Sequence, residues 1–446
     1  MQSSFYLRLA TAIAVFTSSL ASGFKQASQD NMAVYWGQNF VSGGQQRLST
    51  YCGSTKYNII PIAFLVSLTD PLINLANGND NCTTFPGSQA LSCPQVAEDI
   101  KTCQSKHGKT VMLSIGGSTY NEGGFGSPAA ARTAAEKVWN LFGPNTATAN
   151  RPFGIAVVDG FDFDFESPTK NMVPFAQRLR ELMDAAPNTK KYYLSAAPQC
   201  PFPDVADGEM LAGQVSFDFV MVQFYNNYCG VQNFVASAAK TAVGGLVAAA
   251  GGSVRSKRQT QSLSQSAFNF AAWDAWARGN TSDGSRGSKN PDVKILLGVP
   301  ASKAAASTGF LEPAMLKPVV EYAATFSSFG GVMMWDMSHL YSSAAGSFLE
   351  DVHGALSMAG SKMGNDRATS NSNGTTTTTP LPAGGNNGNG TSSSSSVSDG
   401  TSSTGSGAGT SSPPTTSSAS TGFYHFSPTA LSWSGLALGI AFHSLF

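Results

Sequence analysis

Charge is scarce in this 446-residue sequence: only 12% of positions are Asp, Glu, Lys or Arg, and 27 acidic residues balance 27 basic ones. Such a chain offers no basic field to attract nucleic acid and no acidic one to repel it, whereas an uncharged partner such as a sugar fits the balance. Histidine is scarcer still, with five scattered copies, and the six cysteines (Cys52, Cys82, Cys93, Cys103, Cys200 and Cys229) form no CxxC pair. No zinc set is recognisable, so neither metal nor cofactor is expected. An even cysteine count instead favours disulfides, which require an oxidising compartment.

Both ends of the chain point to that compartment. Residues 1–22 carry one basic residue, Arg8, an apolar run from Leu9 to Phe16, and small Ser19 and Ala21 at cleavage-like spacing. This is the layout of a secretory signal peptide; a buried N-terminal helix is the competing reading, and the run is short for it. At the other end, from about Asn365 to Thr421, Ser, Thr, Gly, Asn and Pro displace almost every large apolar residue. Such a segment cannot bury enough surface to offset chain entropy, so 361–421 is expected to be a disordered, glycosylated stalk. Asn373 and Asn389 stand in N-x-[ST] sequons there, as do Asn81 and Asn280 earlier. The apolar segment from Leu431 to Phe446 follows a short spacer, so 422–446 reads as a GPI-attachment signal. A retained transmembrane helix competes, but the segment is short, holds Ser434 and His443, and lacks a basic flank.

Between these ends, at 24–360, short β-rich runs alternate with helical stretches. Strands are expected at 33–37, 58–65, 110–115, 160–166, 192–196, 219–225, 294–299 and 331–335, and helices at 94–107, 128–142, 172–186 and 311–326. Alternation of this kind implies parallel strands with crossover helices, and the strand count is that of an α/β fold closed as a (β/α)8 TIM barrel. The connection from Gly230 to Asp292 is too long for one helix and includes the basic stretch Arg255–Arg258, either a solvated loop or a processing site. Sites of such barrels form at the C-terminal strand ends.

The fourth run reads Asp-Gly-Phe-Asp-Phe-Asp-Phe-Glu from Asp159 to Glu166. Strand alternation puts Asp162, Asp164 and Glu166 on one face and Phe161, Phe163 and Phe165 on the other. The phenylalanines would pack under helices, leaving three carboxyls aimed into the barrel, where unpaired charge is expensive. Crowded carboxyls cannot all ionise, so a proton should be retained, as a general acid requires. Glu166, outermost and longest, is the expected proton donor. Asp159 has the phenylalanine parity and reads as a structural acid at the strand entrance. A divalent-metal site or an inert buried network is the competing reading.

Asp159–Glu166 matches the DxxDxDxE signature of glycoside hydrolase family 18, and the domain resembles the fungal and plant class III chitinases of that family. Tyr35-Trp-Gly-Gln-Asn39, Leu113-Ser-Ile-Gly-Gly117, Gln223-Phe-Tyr-Asn-Asn227 and Trp335 match further motifs in the right order, across nearly all of 32–360. The resemblance implies an endo-acting chitinase with retaining, substrate-assisted chemistry: Glu166 protonates the leaving oxygen while the substrate's own acetamide attacks. Asp164 would hold the acetamide N–H, Asp162 would share a proton with Asp164, and Tyr225 would donate to the acetamide oxygen. Trp335 would be the floor under the sugar, although a lone Trp is more often core. Tyr35, Gln38, Gln223 and Asn226 are candidate polar contacts with sugar, or else lumen packing. Gly116 and Gly117 permit either a tight turn or backbone approach to sugar. By the same analogy the disulfides would be Cys52–Cys103, Cys82–Cys93 and Cys200–Cys229. The implied partners are chitin and chito-oligosaccharides, with GPI lipid and wall glucan at the surface of a fungal cell, for a monomeric enzyme. A chitin-binding lectin on the same barrel and an endo-β-N-acetylglucosaminidase acting on N-glycans are the alternatives.

Overall fold

The computed structural model describes residues 23–372 except 39–40, 42–43, 188–189, 237–266, 282–283, 285 and 343–345, with side chains as far as 360. All lie in one compact unit reaching Thr376; a second unit, Thr377–Phe446, falls outside the described residues. Also outside them are residues 1–22, Asn39, the stretch Arg255–Arg258, Asn373 and Asn389.

Strands β1 (Asn31–Val34), β2 (Ile59–Ser67), β3 (Thr110–Gly116), β4 (Gly160–Asp164), β5 (Tyr193–Ala196), β6 (Phe219–Gln223), β7 (Lys294–Pro300) and β8 (Phe329–Trp335) pair in sequence order, all parallel. The ring closes because β1 pairs with β8 on one side and, through Ala33 opposite Ile59, with β2 on the other. The fold is therefore a closed α/β barrel of the (β/α)8 TIM type. A two-residue strand, Leu72–Ile73, adds antiparallel to the edge of β2.

Helices α1 (Pro94–His107), α2 (Pro128–Phe142), α3 (Met172–Asp184), α4 (Phe270–Ala277), α5 (Pro313–Ala323) and α6 (Phe348–Ser372) accompany the strands. Proline opens α1, α2 and α5, where its missing N–H has no intrahelical partner to lose. Ser127 caps α2 by accepting the Ala130 N–H, and left-handed Gly108 ends α1. The expected helices at 172–186 and 311–326 are shorter at their ends. Among the described residues, the crossovers after β1 and β5 contain only the four-residue helical turns Leu48–Tyr51 and Gly208–Leu211. The backbone of α6 stays helical to Ser372, beyond position 360.

Alternation sorts the strand residues into two cores. Outward residues such as Met32, Val34, Ile60, Ile62, Phe161 and Phe163 join the apolar helix faces. Inward ones, among them Ala33, Tyr35, Ala63, Met112, Met221 and Met333, fill the lumen. Phe24 closes the barrel's N-terminal end: it is buried, its ring meets Phe219 and Tyr193, and its N–H donates to Thr110 Oγ1. Disulfides join Cys52 to Cys103, Cys82 to Cys93 and Cys200 to Cys229. The last ties the loop leaving β5 to the loop leaving β6.

Candidate active site

Strand β4 organises the site. Phe161, Phe163 and Phe165 are fully buried in the outer core, so the alternate residues Asp162 and Asp164 face the lumen, where they too are buried. The strand ends at Asp164, and Glu166 stands two residues beyond it, exposed to solvent at the C-terminal mouth. The three acids thus run from the barrel interior to its opening.

Asp162 accepts hydrogen bonds from Tyr35 Oη at 2.7 Å, Ser114 Oγ at 2.7 Å and Ser195 Oγ at 2.6 Å. Register explains the two serines: Ser114 on β3 and Ser195 on β5 lie directly beside Asp162 in the sheet, so all three side chains point inward together. Burial pushes the Asp162 carboxyl above the usual range, while the three hydroxyls pull it down. Asp164 accepts from Gln223 Nε2 at 2.8 Å, and its carboxyl is pushed well up, first by burial and then by the charges of Glu166 and Asp162. Partial burial also raises Glu166. All three carboxyls are thus raised, and Asp164 is pushed well up because it has less hydrogen-bond support than Asp162 and less water than Glu166.

Tyr225 is buried two residues past the end of β6, and burial, then Asp164 and Glu166, keep its phenol un-ionised. Trp335, the last residue of β8, is half-buried, its ring 5.4 Å from Tyr35 and 5.9 Å from a nearly parallel Phe64. One face of the mouth is therefore aromatic.

Most of the other candidates bond within the protein. The Tyr35 hydroxyl donates to Asp162 and the Gln223 amide to Asp164 and to the Ala197 carbonyl, so both hold acids rather than face open space. Gln38 donates its amide to the Gly37, Ala63 and Asn74 carbonyls, pinning β1 to β2. Asn226 is left-handed (φ 56°), and its Oδ1 accepts the Ser307 and Thr308 N–H groups, a loop-to-loop clasp. Gly116 and Gly117 admit close approach within the protein: a Cβ would lie 2.4 Å from the Asp164 carbonyl or 2.7 Å from the Phe64 ring, respectively. The Gly117 N–H donates to that same carbonyl at 2.7 Å. Asp159 lies apart, accepting from Gln104 and the Val111 N–H and pairing with Lys190 at 2.7 Å. Asn81 and Asn280 are exposed.

The sequence reading missed Ser114, Ser195, Phe64 and two loop acids, Asp204 and Asp207. Inward parity on β3 and β5 would have found the serines. Nothing distinguishes Asp204 or Asp207 in the sequence from solvated loop acids, because the fold of the loop buries them. Among the described residues no three His, Cys, Asp or Glu side chains form a metal-ligating group, and hydroxyl donors occupy both Asp162 oxygens.

Comparison with known proteins gives this acid line a lineage. Residues 31–339 match the model of glycosyl hydrolases family 18. The chain is 44% identical over 348 residues to a class III chitinase of Arthroderma benhamiae, covering 76% of this chain and 90% of the relative. It is 43% identical to endochitinase 33 of Trichoderma harzianum, covering 75% and 94%. Among solved structures, ICChI chitinase from Ipomoea carnea superposes with a TM-score of 0.52 at 26% identity, covering 73% of this chain and 99% of that one. With the matched region spanning the whole barrel, the chain belongs to glycosyl hydrolases family 18 and is a glycoside hydrolase.

Proposed function

We propose that the chain is an endo-acting chitinase that hydrolyses β-1,4 linkages between N-acetylglucosamine units with retention. The observation that carries this reading is the graded acid line: a hydroxyl-held Asp162, a buried Asp164 held by Gln223 and pushed well up by burial, and an exposed, raised Glu166 whose charge reaches Tyr225. The chitinases among its relatives support the substrate class. Glu166 gives its proton to the glycosidic oxygen as the bond to the anomeric carbon breaks. The carbonyl oxygen of the neighbouring acetamide forms the new bond to that carbon, and the positive charge passes to an oxazolinium ring. Asp164, its proton shared with Asp162, faces the acetamide N–H and stabilises that charge, while Tyr225 donates to the acetamide oxygen. Water then attacks the anomeric carbon as the bond from that carbon to the acetamide oxygen breaks, which reopens the ring and regenerates the neutral acetamide, and the water loses its proton to the Glu166 carboxylate, restoring the acid. A sugar without the acetamide lacks the nucleophile.

Glu166→Gln is expected to lower kcat on chito-oligosaccharides by roughly a thousandfold while leaving their binding measurable, and near-normal turnover would refute the assignment. The same variant separates enzyme from lectin, since a lectin releases no product in either form. Parallel assays on colloidal chitin and a high-mannose glycoprotein distinguish the chitinase from an endo-β-N-acetylglucosaminidase.

For location, we propose secretion and GPI anchorage at the plasma membrane or wall, with a role in fungal wall remodelling. The three disulfides and the exposed sequon residues Asn81 and Asn280 support passage through an oxidising, glycosylating route. Phosphatidylinositol-specific phospholipase should release the protein from membranes; retention in the detergent phase after treatment would favour a spanning helix.

A further inference from the structure

The segment that follows Trp335 is tied together by a buried acid that the hydrolysis does not use. Asp336 directly precedes the four-residue helical turn Met337–Leu340, and Asp336, Ser338 and His339 are all buried. One oxygen of the Asp336 carboxyl, Oδ1, accepts from Ser338 Oγ at 2.7 Å, from the His339 N–H at 3.1 Å and from His339 Nδ1 at 2.8 Å. Hydrogen bonds to an ionised acceptor are roughly twice as strong as neutral ones, so three of them on one atom draw the turn tight. The other oxygen, Oδ2, is buried and completes no hydrogen bond. The cluster is fastened to the aromatic side of the mouth from two strands. Trp335, which ends β8, accepts the Ala301 N–H on its carbonyl at 2.7 Å. On the other side the Met337 N–H donates to the Tyr35 carbonyl at 2.9 Å, and Ser338 Oγ accepts the Val41 N–H at 3.5 Å. Tyr35 and Trp335, which this bracket joins, have ring centroids 5.4 Å apart.

We propose that Asp336 is a positioning residue for the hydrolysis: by gathering Ser338 and His339 onto one oxygen it fixes the backbone from which the Trp335 indole projects, and so sets the plane offered to the sugar. Trp335 is then held through Ala301 on one side and through the turn and Tyr35 on the other. A flat ring supports a pyranose only at the right height and tilt, and a misplacement of about 1 Å caused from outside the reacting atoms can cost a hundredfold in rate. This role rests on the reading of Trp335 as the floor under the sugar.

In the full chain, acting on a soluble chito-oligosaccharide, Asp336→Ala is expected to lower kcat/KM about tenfold, chiefly through a raised KM, and Trp335→Ala to lower it at least as much. Because Asp336 acts through the indole, adding Asp336→Ala to Trp335→Ala should change kcat/KM by less than about twofold. Losses that multiply in the double variant overturn the proposal, as does an Asp336→Ala that keeps its KM and loses only thermal midpoint. Asp336→Asn retains an acceptor for the same donors and should hold KM closer to the unsubstituted value; an asparagine no better than alanine counts against the role. Should Asp336→Ala fail to fold, Ser338→Ala carries the test: a smaller rise in KM that vanishes when Trp335 is also alanine supports the role, and no rise, or the same rise in both backgrounds, rejects it. Trp335→Ala alone separates the two readings. An unaltered KM there would sink the sugar-floor assignment itself, whereas a raised KM beside multiplying losses removes only the role of Asp336.

Discussion

Asp162 can carry a negative charge inside the barrel because three hydroxyls converge on it, from Tyr35, Ser114 and Ser195. Each donor favours the charged form, so removing one lets burial dominate and raises the Asp162 carboxyl further. Ser114→Ala and Ser195→Ala are therefore each expected to move the acid limb of the kcat profile to higher pH, and the double variant to move it further. An acid limb indifferent to both serines would mean that Asp162 takes no part in the titration that matters. Legibility at this scale was uneven: the acidic motif exposed its own three members, whereas Tyr35 and Gln223 were left between sugar contact and lumen packing, and in the structure they bond to the acids. Residue type alone does not reveal whether a polar tip meets a ligand or another side chain, and here the acids lie nearer.

Strand β4 presents two faces with opposite energetics. On the outer face Phe163 packs with ring centroids about 6 Å from Phe165, Phe175 and Phe217, so Phe163→Ala should cost about 3–5 kcal/mol in denaturant unfolding. On the inner face Asp164 is a carboxyl held away from its preferred charge, so Asp164→Asn should raise the thermal midpoint at neutral pH even as it lowers activity. An equal loss of stability from both substitutions would contradict the separation of the faces. Alternation made these faces readable in advance. Strand ends were less legible: the runs at 160–166 and 219–225 were expected to continue two residues further than β4 and β6 do. Pairing stops where the neighbouring backbone diverges, a tertiary event that local pattern does not encode.

Across the whole molecule, burial raises several carboxyls together: Asp162, Asp164, Asp204, Asp207 and Glu166 all bind their protons more tightly folded than in an unfolded chain. A raised folded value contributes stability that is fully present below the unfolded carboxylate range and lost as pH rises through the folded values. Glu181 and Glu350, lowered chiefly by Arg132 and Lys56, act in the opposite sense, but both pairs are exposed and screened. The thermal midpoint of the barrel should therefore be higher near pH ~5 than near pH ~8, and Asp164→Asn should flatten the difference. A midpoint that climbs steadily toward alkaline pH would show that the surface pairs dominate.

The Phe24 stopper determines how a polymer can meet this enzyme. With one end plugged by an aromatic ring and the lumen filled with side chains, the barrel is a cul-de-sac rather than a ring, so no strand of polysaccharide can be threaded through it. Among the described residues the acid line is thus reached from the C-terminal rim, and under the endo-acting reading proposed above a long chain would lie across that rim rather than pass through the barrel.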